Sequence, residues 1–127
     1  MTIPIRLQWH DDTYAVARVA ADQPCPAWAN FETAGVVSIT RTAIEWSIVM
    51  RDNAVPTDVQ SERGFVLAEV EGPLDFALTG ILARLTGALA EADVSVFAFS
   101  TYDTDYLMVR AADIEAAKAA LANAGIR

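Results

Sequence analysis

The chain has 127 residues, a formal net charge of −8 and a sequence pI near 4.4. This length suffices for one compact domain or two very small ones, and the 54% apolar content excludes wholesale disorder. The acidity disfavours binding to nucleic acid or to an anionic membrane, because no basic patch offsets phosphate repulsion. Apolar runs are too short to span a bilayer, the N-terminus lacks a signal-peptide core, and Cys25 is the single cysteine. We therefore expect a cytoplasmic protein without a disulfide.

The first half of the chain is predicted to be mainly extended. Apolar alternation and β-branched residues predict strands at 3–9, 14–20, 36–41 and 44–50. We predict a polar turn at 10–13 between the first two strands, and a hairpin turn at Thr42 and Ala43. The polar segment 52–63 is predicted to be a linker with room for one helical turn.

The second half is predicted to contain both helices of normal length. A buried strand at 65–70 ends at Gly72-Pro73, because proline cannot donate to a strand ladder. Apolar residues at helical spacing then predict a helix from about residue 79 to residue 92. Two strands follow at 94–100 and 105–110. Asp113 is a good N-cap for a last helix, and Gly125 is a natural residue to end it.

The predicted start of the first long helix, at Thr79 and Gly80, is a candidate binding position. Unpaired backbone N–H groups and the positive end of the helix dipole lie there, and such a place binds a carboxylate or a phosphate readily. Gly80 has no side chain, so a ligand could approach the backbone closely. The alternative is that Gly80 only lets the helix pack on its sheet.

The two halves of the chain resemble each other in the order of their elements. Residues 14–20 correspond to 65–71, and residues 36–51 correspond to 94–110. We interpret this as an internal repeat of a β-α-β-β-α unit, with both helices of the first copy shortened. The second copy lacks its final strand, and we expect residues 3–9 to fill that gap by pairing across the halves.

Two stretches carry a family resemblance: residues 71–82, EGPLDFALTGIL, and residues 94–106, VSVFAFSTYDTDY. Together they resemble the ACT domain, and more closely the small tandem ACT proteins related to aspartate kinase regulatory domains and to cytosolic arginine sensors. The resemblance implies an α+β, ferredoxin-like βαββαβ fold in two tandem units. Residues 1–63 would form a degenerate N-terminal ACT-like unit and residues 64–127 the C-terminal ACT unit.

The resemblance also implies a site for a small molecule, usually an amino acid, between the turn before the helix and a facing hairpin. In the turn, the implied ligand-binding residues are Asp75, Phe76, Leu78, Thr79, Gly80 and Ile81. In the hairpin, they are Ser100, Thr101, Tyr102, Asp103, Thr104 and Asp105. Backbone N–H groups of the turn would hold the ligand carboxylate, and an aspartate would accept hydrogen bonds from its cation. The alternative for both aspartates is an ordinary exposed turn.

No catalytic constellation is visible in the sequence. It contains neither a Gly-x-Ser-x-Gly elbow nor a phosphate-binding Gly-x-x-x-x-Gly-Lys loop, and His10 is its lone histidine. His10-Asp11-Asp12 could ligate a metal only with a second cluster that the sequence does not offer. We therefore expect no enzyme, metal or cofactor, but an amino-acid-binding regulatory protein that forms a homodimer. The alternative function is a homo-oligomeric assembly module without a ligand.

Overall fold

A computed structural model of the chain describes residues 4–71 and 80–127. The chain divides into two compact units. The small unit is Asp12–Phe65, and the large unit combines the residues up to Asp11 with Val66–Arg127. Neither of the α-helices in the described ranges is long and apolar enough to cross a membrane.

The described residues form strands, two α-helices and two short 3-10 helices. The strands are β1 (Leu7–Ala20), β2 (Ser38–Arg41), β3 (Glu45–Arg51), β4 (Ser61–Val70), β5 (Phe97–Ser100) and β6 (Asp105–Arg110). The α-helices are α1 (Ile81–Glu91) and α2 (Ile114–Asn123), and the 3-10 helices are Asp52–Ala54 and Ala111–Asp113. The predicted α+β class is confirmed.

The small unit is a sheet with strand order β2-β3-β1-β4. Strands β1 and β3 are antiparallel, with Tyr14 opposite Arg51, and β2 and β3 form the predicted hairpin. On the β4 side, the Arg18 backbone N–H donates to the Gln60 carbonyl at 2.9 Å. One face of the sheet is covered by the unit's own core, made of Ala15, Ala17, Ala29, Ile48, Met50 and Val55. The small unit, whose residues are all described, therefore forms its core with only one turn of 3-10 helix.

The predicted turn at residues 10–13 is wrong, because β1 is one continuous strand of 14 residues. The polar residues in this stretch find partners on neighbouring strands. His10 Nε2 lies 2.7 Å from Glu69 Oε1 on β4, and Asp12 Oδ2 lies 2.8 Å from Arg51 Nη2 on β3. Cross-strand polar pairs of this kind support a sheet and remove the reason for a break. The predicted linker 52–63 is also too long, since β4 begins at Ser61.

The large unit has strand order β1-β4-β6-β5, with β5 and β6 antiparallel. Its N-terminal segment is held by backbone hydrogen bonds. The Glu71 N–H donates to the Arg6 carbonyl at 2.9 Å, and the Arg127 N–H donates to the Ile5 carbonyl at 3.0 Å. The predicted pairing of the N-terminal stretch with the second half is thus confirmed. Helices and strands share one core: Ile5, Ala68, Val70, Ile81, Leu85, Leu89, Val94, Leu107, Val109, Ala117, Leu121 and Ile126.

Both helices of the large unit end in a Schellman turn, in which backbone N–H groups after the helix satisfy its last carbonyls. After α1, the N–H of Val94 donates to the Leu89 carbonyl at 2.9 Å and that of Asp93 to the Ala90 carbonyl at 3.0 Å. Asp93 has φ 58°, the left-handed conformation that glycine adopts more easily. After α2 that position is Gly125, as predicted. Asp113 precedes α2 as predicted, but its side chain makes no capping hydrogen bond.

A substitution at Gly35 tests how closely the small unit is packed. A Cβ at this position would lie 2.6 Å from both Tyr14 Oη and Arg51 Nε, and Gly35 has φ +88°. Gly35→Ala should therefore destabilise the protein by about 2–4 kcal/mol, from backbone strain plus overpacking. Urea unfolding measures this difference.

The matched control is Gly64→Ala in the same unit. Gly64 has φ +77°, but a Cβ there would meet nothing within 4 Å. We expect only the strain cost of about 1–2 kcal/mol. Equal losses of stability for the two variants would contradict the close packing around Gly35.

Candidate functional site

The candidate site combines the start of α1 with the turn between β5 and β6. Four of the predicted ligand-binding residues lie outside the residues that the structure describes: Asp75, Phe76, Leu78 and Thr79. The other predicted residues are described, and all of them belong to the large unit. They are Gly80, Ile81, Ser100, Thr101, Tyr102, Asp103, Thr104 and Asp105.

Gly80 is the N-cap residue of α1, with φ 83° and ψ −5°. The first helical hydrogen bond runs from the Arg84 N–H to the Gly80 carbonyl at 3.0 Å, so the N–H groups of residues 81–83 have no acceptor within the helix. Gly80 is exposed, and among the described residues a Cβ on it would meet no atom within 4 Å. No described side chain therefore covers the backbone at this position.

Ile81 contributes to this position through its backbone. Its side chain is buried in the core of the large unit and 6% of its surface is exposed. The first turn of α1 contains no acidic residue that would neutralise the helix dipole. The N-terminus of α1 therefore combines backbone donors with a positive partial charge.

The turn between β5 and β6 is closed by threonines. The Thr101 N–H donates to the Thr104 carbonyl at 2.8 Å, and the Thr104 hydroxyl donates to the Val70 carbonyl at 2.7 Å. Thr104 is a buried polar residue, 9% exposed. A buried carbonyl needs such a partner, because leaving it unpaired costs about 1–3 kcal/mol. Thr104 thus fastens this turn to the end of β4, where the chain leaves the sheet toward α1.

The two predicted acceptors occupy different surroundings. Asp105 is partly buried and faces Ser100 across the β5–β6 ladder, and the Ser100 hydroxyl donates to Asp105 Oδ1. Asp103 is exposed at the tip of the turn, next to Tyr102, which is 82% exposed. Asp103 therefore presents its carboxylate to solvent, whereas Asp105 already accepts a hydrogen bond within the protein.

Sequence reasoning missed two structural features. The sequence identified Thr104 only as one residue of an exposed hairpin, whereas its hydroxyl bonds Val70, 34 positions away. His10 was assigned to a turn, although it pairs with Glu69 on β4. The place of His10 in a strand could have been predicted. Leu7, Trp9 and later apolar residues of β1 are separated by even numbers of positions, as on one face of a strand that continues through residues 10–13.

Comparison with known proteins identifies the chain. A family model described as the ACT domain matches residues 60–123, which is half of the chain. The chain belongs to the ACT domain family. A second family model, described as an N-terminal domain, matches residues 12–58. The predicted family is confirmed, and the ACT match includes β4, α1 and the β5–β6 turn described above.

Solved structures share this ACT-containing architecture. A crystal structure of a protein from Agobacterium tumefaciens is 38% identical, has a TM-score of 0.90, and matches 98% of this chain and 92% of its own. A protein of unknown function from Vibrio cholerae, titled a possible transport protein, is 16% identical with a TM-score of 0.74, over 95% of this chain and 90% of its own. The ligand-free regulatory subunit of aspartate kinase from Thermus thermophilus is 12% identical with a TM-score of 0.62, over 90% of this chain and 93% of its own. The last two show a shared fold. No curated protein matches the chain.

The hydrogen bond that holds the ACT hairpin turn can be tested by substitution. Thr104→Val keeps the shape of the side chain but removes the donor to Val70 O, which should lower the free energy of unfolding by about 1–3 kcal/mol. Thr104→Ser retains the hydroxyl and should lose less. Urea unfolding of the three proteins measures the difference.

The control is Thr101→Val in the same turn. The Thr101 hydroxyl makes only local contacts with Thr104, at 3.3 Å, and Thr101 is exposed. Its loss should cost under about 1 kcal/mol. A Thr104→Val protein as stable as the parent would show that this bond does not hold the turn.

Proposed function

We propose that this ACT protein is a non-catalytic regulatory protein that binds an amino acid between the start of α1 and the β5–β6 turn. The observation that carries the proposal is the hydrogen bond from Thr104 to the Val70 carbonyl, 2.7 Å long. It fastens the acidic turn at the point where the chain leaves β4 toward α1. In the proposed site, the backbone donors at the start of α1 and the carboxylate acceptors of the turn would bind the same ligand.

The chemistry of this neighbourhood suits a molecule with both charges. The N–H groups of residues 81–83, which have no acceptor within the helix, would bind the α-carboxylate, helped by the helix dipole. Asp103 would accept a charge-assisted hydrogen bond from the ammonium group or from a cationic side chain. Gly80 would let the ligand reach the backbone, because no atom of the described residues lies within 4 Å of the position that a Cβ would take.

The comparisons support regulation more than catalysis. The matching family is the ACT domain, and one structural neighbour is named as the regulatory subunit of an aspartate kinase. Division of the chain into an N-terminal ACT-like unit, residues 1–63, and a C-terminal ACT unit, residues 64–127, belongs to this proposal. It is supported by separate family matches to residues 12–58 and 60–123. A cytoplasmic location is proposed with it.

The second candidate function is homo-oligomeric assembly, favoured by the aromatic residues at one edge of the large unit. Strand β5 lies at the sheet edge, where unpaired backbone groups can pair with another chain. Phe99 stacks on Tyr106 with ring centroids 5.2 Å apart, and Phe97 lies 6.3 Å from Phe99. All three are partly exposed. A homodimer would cover them, and it is compatible with ligand binding.

A thermal-shift screen of the twenty amino acids tests ligand binding. A ligand at a hundredfold excess over its Kd stabilises the native state by about 2.7 kcal/mol, which raises Tm by on the order of 10 °C for a chain of this size. We expect one amino acid or a small chemical group of them to give such a shift. Asp103→Asn should reduce it, since the substitution removes the exposed carboxylate at the tip of the turn.

Asp113→Asn is the control, because it makes the same charge change before α2, at the other end of β6. It should leave the amino-acid shift unchanged. If no amino acid raises Tm while light scattering finds a dimer, ligand binding is wrong and assembly is favoured. Equal effects of the two asparagine variants would place the ligand elsewhere.

A further inference from the structure

A groove at the C-terminal end of α2 has the composition of a small-molecule site. It lies in the large unit between the start of β1 and α2, with a volume of about 330 Å³. Ligand pockets in proteins are mostly apolar concavities of about 300–1,000 Å³ with a few placed polar groups. The apolar lining here comes from Leu7, Trp9, Leu121 and Ile126. The groove has no part in the site proposed above.

The floor of the groove is rigid. Leu121 and Ile126 are each 2% exposed and belong to the core, and the Ile126 N–H donates to the Leu121 carbonyl at 2.9 Å. Arg127 is held by two backbone hydrogen bonds, to Leu7 at 2.6 Å and to Ile5 at 3.0 Å. Binding here would cost little ordering of the protein, which favours affinity.

The rim of the groove is cationic. Lys118 and Arg127 line it, and no aspartate or glutamate does so among the described residues. The Lys118 ammonium lies 5.5 Å from the centroid of the Trp9 ring, within cation–π range. No described carboxylate forms an ion pair with Lys118. The chain has 17 acidic and 9 basic residues, so a concavity lined by two basic side chains and no acidic side chain stands out from the chain's average composition.

The terminal carbonyls of α2 would oppose an anion, but most are occupied. The Schellman turn brings the N–H groups of Ala124, Gly125 and Ile126 onto the carbonyls of the last turn. This reduces the negative partial charge at the helix end.

We propose that this groove binds a small amphipathic monocarboxylate, an acid with an aromatic or branched apolar body. The body would lie on Leu121 and Ile126 beside the Trp9 indole. The carboxylate would lie at the rim, against the Lys118 ammonium. An apolar floor alone would accept any hydrophobic molecule, and the charge at the rim selects the acid.

The probe is 3-phenylpropionate, followed by the indole N–H signals of the protein in ¹H–¹⁵N NMR. Trp9→Phe assigns the Trp9 signal. We expect a saturable shift of that signal, with a Kd of about 0.1–1 mM for a ligand of this size. The signals of Trp28 and Trp46, which belong to the small unit, should not move.

Two matched ligands test the role of charge. The neutral 3-phenylpropionamide should bind about three- to fivefold more weakly than the acid, as expected for loss of an exposed ion pair. The cationic 3-phenylpropylamine should give no saturable shift, because two bases repel it. Equal affinities for the acid and the amide would overturn the proposal, and so would an acid that fails to saturate by about 10 mM.

Two variants test whether 3-phenylpropionate binds in the groove. Lys118→Gln should weaken 3-phenylpropionate about three- to fivefold, and it changes an exposed residue, so the fold should persist. Arg41→Gln is the control, because Arg41 also lies over an indole, 5.6 Å from the Trp46 centroid, but outside the groove. It should leave binding unchanged. Equal losses of affinity for 3-phenylpropionate in the two variants would refute the proposed occupant. A shift of the Trp9 signal with an acidic peptide, but not with 3-phenylpropionate, would refute it too.

Discussion

The hydrogen bond from Thr104 to the Val70 carbonyl joins two parts of the chain that are 34 residues apart. Both groups lie where a strand gives way to a turn, so no ladder partner is guaranteed to them. The threonine hydroxyl donates directly to the Val70 carbonyl, at 2.7 Å. This one contact sets the position of an acidic turn relative to the end of β4. The proposed amino-acid site depends on it more than on either aspartate.

Patterns among residues close together in the sequence were sufficient to predict most helices and strands of the large unit. The apolar spacing predicted α1 and α2 within two residues, and the endings at Asp93 and Gly125 follow from the left-handed conformation that a Schellman turn requires. Strand β6 begins and ends where predicted. These features depend on residues close together in the sequence. The described part of the first half contains no α-helix, which agrees with the prediction that the helices of the first copy are shortened.

Features that depend on distant partners could not be predicted from the sequence. Residues 10–13 look like a turn because they are polar, but His10 and Asp12 are paired with Glu69 and Arg51 on neighbouring strands. A polar side chain signals a turn only when no cross-strand partner exists. The residues of the candidate site also differ in whether the sequence predicts their roles. The position of Gly80 at the start of a helix was predicted, whereas the buried role of Thr104 was not.

Charge separates the two binding proposals although both lie in the large unit. The neighbourhood of α1 and the β5–β6 turn offers backbone donors and the exposed carboxylate of Asp103, so it needs a ligand with both charges. The groove beside α2 offers Lys118 and Arg127 over an apolar floor, so it needs a negative charge and no positive one. An amino acid would place its ammonium against two bases in the groove, and a monocarboxylate would leave Asp103 without a partner in the turn. Each proposed site therefore disfavours the ligand of the other by a repulsion or an unmet charge.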